Sequence, residues 1–170
     1  MGYVNDTQMR QFIPPFMCGK TAGTWTPTIA SNVVSDNRTA ADASFTLLIP
    51  IFLPSNGAHL KGAYLTAIDV WYTIATAAAD DFATVELEKM TLPASGSALS
   101  GAAIEITVDT AHDTAVERKA TGDAHKMTIT LDTAEWIDED EVLYLQLVVD
   151  AAATTVFKFY GARASFTLRV

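Results

Sequence analysis

Apolar and polar residues alternate with a period of two along most of the chain, and the pattern is clearest between residues 126 and 170. Met127, Ile129 and Leu131 alternate with polar residues, and the same pattern returns at 143–149, 157–160 and 165–170. Successive side chains of a strand point to opposite faces of its sheet, so this pattern predicts four half-buried antiparallel strands.

Earlier segments extend the same pattern. Alternation from Phe45 to Leu53 predicts a strand, and Pro50 on its polar face marks an edge or a bulge. The next strand is predicted to turn Trp71 outwards and to present a core face formed by Tyr64, Ile68, Val70, Tyr72 and Ile74. With short strands near 25–29, 85–92 and 104–108, the total is about eight. We therefore predict an all-β fold, an antiparallel and jelly-roll-like β-sandwich.

The first 23 residues differ from the rest, and we predict an extended N-terminal arm over 1–23 before a sandwich domain over 24–170. Prolines interrupt regular backbone pairing in this segment. Large apolar residues nevertheless crowd the same segment and need burial, on a neighbouring subunit or on the protomer's own sandwich. The assembly residues predicted here are Phe12, Ile13, Pro14, Pro15, Phe16 and Met17.

Composition and charge narrow the classes of partner. Apolar residues make up 49% of the chain, which is enough for a substantial core, and the net charge is −9. An acidic body repels nucleic acid, so direct DNA or RNA contact is not expected. No apolar run approaches the ~18 residues of a transmembrane segment, and no membrane association is expected either.

The sequence contains no convincing catalytic motif. Cys18 is the single cysteine and has no histidine nearby in sequence, and Gly19-Lys20-Thr21 lacks the frame of a phosphate-binding loop. Glu86 and Glu88 share the polar face of one strand, a pattern more typical of solubility than of a glycosidase pair. We therefore expect a non-enzymatic protein without a cofactor.

The sequence evidence for a metal-binding site is also weak. His59, His112 and His125 fit no standard ligand spacing, although the last two can converge within the long polar connection over 109–125. The acidic turn from Asp138 to Glu141 lacks the pattern of a calcium-binding loop, and Ca²⁺ there stays an open alternative to a solvated turn. No metal is predicted.

Two aromatic residues are predicted on the polar faces of their strands. Trp71 and Tyr144 have the character of residues that stack on sugar rings, and also of anchors at subunit interfaces. Val142 and Val148 share the outer face with Tyr144 and favour burial by a second layer or a subunit.

Two stretches of the sequence are similar to those of a known class of proteins. Residues 35–45 (SDNRTAADASF) and 159–170 (FYGARASFTLRV) resemble small all-β virion proteins of tailed phages and metagenomic viruses, over roughly residues 31–170. The resemblance implies a virion structural protein that coats or decorates a capsid beside the major capsid protein, and the apolar arm favours self-association, with a trimer as the expected oligomer. A glycan-binding module for host recognition, or a subunit of a filament or tube, is the alternative.

Overall fold

The computed structural model describes residues 6–52, 63–93, 95–96, 98–122, 124–137 and 140–169. Within these ranges the chain forms twelve β-strands, one short α-helix and a single 3₁₀ turn. The predicted turn at 54–57 lies outside the described residues, as do His59 and two residues of the acidic turn over 138–141.

The described strands follow one another along the chain. In chain order they are β1 (Asp6–Ile13), β2 (Gly19–Lys20), β3 (Trp25–Ala30), β4 (Val33–Arg38), β5 (Ala43–Ile51), β6 (Ala63–Ala75), β7 (Asp81–Thr91), β8 (Ser100–Ile104), β9 (Ile106–Val108), β10 (His125–Trp136), β11 (Glu141–Ala151) and β12 (Val156–Arg169). A 3₁₀ turn (Pro15–Met17) follows β1, and helix α1 (Ala115–Arg118) lies between β9 and β10.

The strands form two antiparallel sheets packed face to face. One sheet has the order β3-β4-β12-β6-β10-β9, and β1 pairs with β12 beyond the end of β4; the other has the order β2-β5-β11-β7-β8. Consecutive strands β4, β5 and β6 alternate between sheets, as do β10, β11 and β12, and the early strand β4 lies beside the late strand β12. This arrangement is a jelly roll, and it confirms the predicted sandwich.

The core lies between the sheets and is filled by the apolar sets that the sequence pattern predicted. Phe45, Leu47, Ile49 and Ile51 on β5 are buried, as are the alternate residues from Leu143 to Val149 on β11. At one end Trp25 packs edge-on against Phe45, with ring centroids 5.3 Å apart. Among the described strands, Pro50 lies where β5 has no second neighbour, because β2 pairs only with Leu47 and Leu48, so the predicted edge is confirmed.

Two predictions about strands were wrong because bulges change the register. The segments at 157–160 and 165–170 are one strand, β12, with a register shift between Phe159 and Gly161 that changes which side chains face the core. Phe157 and Phe159 point inwards before the shift, and Ala162, Ala164 and Phe166 point inwards after it. The structure nevertheless has twelve strands instead of about eight, because β1, β2, β4 and a separate β8 join the same two sheets.

A further irregularity in the pairing of β6 corrects the predicted position of Tyr64. Leu65 is fully buried, whereas Tyr64 is half-buried and packs on Trp136 at a centroid distance of 4.8 Å. The pairing of β6 with β10 and β12 shifts register in this region, so an alternation traced back from Ile68 reaches the wrong residue.

The N-terminal segment folds back on its own domain, which is one of the two alternatives that the sequence left open. β1 pairs with the second half of β12 from Asp6↔Arg169 to Ile13↔Ala162. Residues 6–20 therefore belong to the sandwich, instead of forming an arm separate from it. Ile13 and Pro15 are buried, whereas three side chains of the predicted assembly set are exposed: Phe12, Phe16 and Met17.

The described part of the chain contains no helix with the length and apolar character needed to cross a membrane.

Candidate functional site

A groove of about 530 Å³ crosses the outer face of the seven-stranded sheet. Its volume lies within the range of ~300–1,000 Å³ that small-molecule sites occupy. The lining comes from five separate segments of the chain and is predominantly apolar. The lining residues are Phe12, Val33, Trp71, Ala124, Tyr160 and Arg163.

Trp71 occupies the groove because β6 and β12 are neighbours and their outward side chains meet. Trp71 pairs with Gly161, so no side chain from β12 lies directly beside the indole at that position. The guanidinium of Arg163 lies 5.3 Å from the centre of the Trp71 ring, a cation–π contact. The Tyr160 hydroxyl and Thr73 Oγ1 are 3.2 Å apart and add a polar edge.

Beside the groove, Asp69 holds the charged side chains in place. Its Oδ2 accepts hydrogen bonds from Nε and Nη2 of Arg163, at 3.1 and 2.5 Å. Its Oδ1 accepts from the Thr128 hydroxyl at 2.8 Å and lies 3.0 Å from Nζ of Lys126. Burial opposes ionisation of Asp69, but these hydrogen bonds outweigh it and hold the pKa of the carboxyl below its ordinary value.

Phe12 forms one wall of the groove because β1 lies against the bulge of β12. Gly161 has φ +123°, a conformation that L side chains rarely adopt. A Cβ at this position would lie 2.7 Å from the Ile13 carbonyl oxygen and 2.8 Å from Cζ of Phe12. The absence of a side chain at Gly161 therefore lets β1 approach and places the Phe12 ring over the strand.

The two aromatics predicted from the sequence lie on opposite faces of the sandwich. Trp71 is on the outer face of the larger sheet and lines the groove. Tyr144 is on β11 of the other sheet, where it is half-buried between Pro50 and Glu88. The two side chains therefore cannot form one ligand site.

The described side chains of the polar connection over 109–125 form hydrogen bonds with one another and with neighbouring strands. His112 and His125 converge, with Nε2 of the first 3.2 Å from Nδ1 of the second, and Asp109 Oδ1 lies 2.9 Å from Nδ1 of His112. His125 stacks on Tyr72 at 4.7 Å, and burial is the main cause that lowers its pKa. Arg118 is buried and donates to four carbonyls, including that of Phe82 at 2.8 Å.

His112 and His125 converge, as the sequence allowed, and they are packed side chains that link the connection to β10. The described residues contain no group of three or more His, Cys, Asp or Glu side chains arranged to hold a metal ion. The calcium alternative at the acidic turn stays untested, because Asp138 and Glu139 lie outside the described residues.

The remaining candidates for chemistry are placed apart from the groove. Cys18 is buried, and desolvation is the main cause that raises the pKa of its thiol to about 12. Lys20 forms an ion pair with Asp36 and does not line a phosphate loop. Glu86 and Glu88 are exposed on β7 in the smaller sheet, as the sequence predicted.

The sequence pattern placed Asp69 on the same outer face as Trp71, but it did not predict Tyr160 and Arg163 as neighbours of that indole. The alternation at Phe157 and Phe159 did place Tyr160 on an outer face. Bringing it beside Trp71 required the pairing of β12 with β6, which the alternation alone does not supply.

No protein-family model and no curated protein sequence matches the chain. Solved structures do match. The carbohydrate-binding module TmCBM61, solved with β-1,4-galactotriose, is 12% identical over 96% of this chain and 88% of its own, with a TM-score of 0.37. A carbohydrate-binding module of the β-sandwich superfamily is 13% identical over 92% of this chain and 55% of its own, with a TM-score of 0.41.

The enzymatically active domain of tailspike protein 4 from bacteriophage CBA120 also matches. It is 11% identical over 94% of this chain and 19% of its own, with a TM-score of 0.35. At such identities and TM-scores these likenesses do not identify a function, so the functional argument rests on the groove itself.

Proposed function

We propose that this protein is a non-enzymatic glycan-binding module that holds a sugar in the outer-face groove. The observation that carries the proposal is Trp71, a partly exposed indole that lines an aromatic groove with polar groups at its edge. Sugar rings have apolar C–H faces and a rim of hydroxyls, so they suit a site that combines aromatic surface with a few fixed polar groups.

Each part of the groove has a role in this proposal. Trp71 and Tyr160 offer aromatic surface for a sugar face, and Phe12 closes the side. Arg163 is fixed by Asp69, so its guanidinium loses little conformational freedom when a ligand binds. The hydroxyl pair of Tyr160 and Thr73 can exchange hydrogen bonds with ligand hydroxyls.

The test is a glycan array followed by calorimetry on the best ligand, with two variants. Trp71→Ala is expected to weaken binding by at least about tenfold, because a buried Trp anchor commonly contributes ~2 kcal/mol or more. Tyr144→Ala is the matched control, since it removes a half-buried outer-face aromatic from the opposite sheet and should leave affinity unchanged. Equal losses in both variants, or no glycan bound by the folded wild-type protein, would contradict the proposal.

Self-association is a second proposal, which exposed apolar side chains support. Phe16 is 67% exposed and Met17 is 47% exposed beside β1, and Ile29 on edge strand β3 is 78% exposed. Exposed apolar groups of this kind mark surfaces that bind other proteins. A trimer on a virion, in contact with the major capsid protein, is the assembly we propose, and it would place the glycan groove in a host-recognition role.

Point variants test this second proposal better than truncation, because deleting residues 1–23 would remove β1 and β2 from their sheets. Light scattering of the wild-type protein should give a discrete oligomer, and Phe16→Ser with Met17→Ser should shift it towards monomer. A monomeric wild-type protein at the concentrations used would refute self-association without affecting the glycan proposal.

A further inference from the structure

We propose that the groove prefers an acidic saccharide, one that carries a carboxylate or a sulfate group. This inference rests on the proposed glycan-binding function and specifies the chemical class of its ligand. The preference follows from local charge: the side chains near the groove carry a net positive charge, whereas the whole chain carries a net charge of −9.

Four basic side chains lie on the outer face, one of them in the groove lining and three on strands that contribute to the groove or pair with a strand that does. Arg163 lines the groove, and Lys126 pairs with Trp71 across β10 and β6. Lys158 precedes the groove residue Tyr160 by two positions on β12, and Arg10 precedes Phe12 by two positions on β1. Residues two apart on a strand share a face, so all four project from the side of the sheet that carries the groove.

One carboxylate offsets part of this charge. Asp69 forms ion pairs with Arg163 and Lys126, whereas Arg10 and Lys158 form no ion pair with any described residue. Both hydrogen bonds from Arg163 to Asp69 use Nε and Nη2. Its Nη1 has no hydrogen-bond partner among the described residues and remains able to donate to a ligand anion.

The net charge of −9 does not cancel this local field. The Debye length is ~8 Å at physiological ionic strength, so acids elsewhere on the molecule are largely screened from a ligand in the groove. Among the described residues, the four nearby cations and Asp69 are therefore the charges closest to a bound ligand, and they leave a positive balance. An N–H donor paired with an anion forms a stronger hydrogen bond than with a neutral hydroxyl. A neutral sugar would leave Arg10 and Lys158 without an anionic partner among the described residues and the ligand.

The experiment compares each acidic glycan with its neutral counterpart on one array, with carboxylated and sulfated glycans as separate arms, followed by calorimetry on the best pair. We expect the acidic member to bind at least about tenfold more tightly than its neutral counterpart at low salt. We also expect this advantage to shrink as salt rises, because exposed charges are screened. The two anionic arms identify which acidic group is preferred.

Two variants of equal net charge separate a local effect from a general one. Lys158→Gln removes a positive charge beside the groove and should weaken acidic-glycan binding by about twofold to fivefold. Gln146→Glu lowers the net charge of the protein by the same amount on the opposite sheet, and should leave binding unchanged.

The outcomes distinguish this inference from the function on which it rests. Binding of neutral and acidic members with equal affinity, lost in Trp71→Ala, would overturn the charge preference and leave the glycan proposal intact. The same would follow if both charge variants had the same effect. Absence of binding to every printed glycan would overturn both proposals.

Discussion

Replacing Gly161 by alanine tests the contact that builds one wall of the groove. Gly161 has φ +123°, where a non-glycine residue costs ~1–3 kcal/mol. The added Cβ would also lie 2.7 Å from the Ile13 carbonyl oxygen, and this backbone atom can move only if β1 moves with it. We therefore expect Gly161→Ala to lower the free energy of unfolding by about 2–4 kcal/mol.

Thermal and urea denaturation followed by circular dichroism measure this loss. In a chain of 170 residues each 1 kcal/mol shifts Tm by ~2–4 °C, so the expected decrease is about 4–16 °C. Hydrogen exchange should show faster exchange in residues 6–13. The control is Gly101→Ala, where the nearest atom to a new Cβ is the Lys89 carbonyl oxygen at an ordinary 3.7 Å. A Gly161→Ala protein within ~0.5 kcal/mol of wild type would refute the steric argument.

Three further predictions test the interior of the sandwich. Arg38 is fully buried, with its guanidinium 4.7 Å from the centre of the Phe45 ring. In urea denaturation we expect Arg38→Ala to lower the free energy of unfolding by ~2–4 kcal/mol, and Arg38→Met, which keeps most of the volume, to lower it less. Equal losses in the two variants would argue against a packing role. The pKa of His125 is lowered in the folded protein, so the unfolded state binds more protons, and the free energy of unfolding should fall as pH drops below ~6.5. His125→Gln should reduce the dependence of stability on pH in this range. An unchanged pH dependence in this variant would contradict the prediction. Cys18 is buried, and the pKa of its thiol is raised to about 12. A thiol reagent at pH 8 should therefore label Cys18 only after the protein unfolds. Rapid labelling of the native protein would refute the burial of this side chain.

The sequence predicted the sandwich because its most regular strands have one apolar face each. From Phe45 to Ile51 on β5 and from Leu143 to Ala151 on β11 every alternate residue is apolar and buried, and no bulge interrupts the mutual pairing of these strands. β1 could not be recognised in this way, because its pairing with β12 turns Phe12 outwards beside Arg163 and leaves the polar Gln11 on the side of Met9 and Ile13. Its alternation is therefore mixed, and the segment was predicted as an arm.

The groove was only partly predictable for a related reason. Alternation placed Trp71 on an outer face, but it could not say which strands lie beside β6. The bulge at Gly161 also changes the face of every following residue, so Arg163 reaches the groove only because one extra residue is accommodated there. Long-range pairing and a single positive φ angle thus decide the site, and neither leaves a periodic signal in the sequence.

The central claim is that a sugar binds against Trp71, and nuclear magnetic resonance tests it directly. The chain has three tryptophans, so the ¹H–¹⁵N spectrum should contain three indole signals, which single substitutions assign. On titration with the best glycan from the array, the account predicts that the Trp71 indole signal shifts with saturation while those of Trp25 and Trp136 stay in place. A glycan that saturates the protein without moving the Trp71 signal would contradict the account.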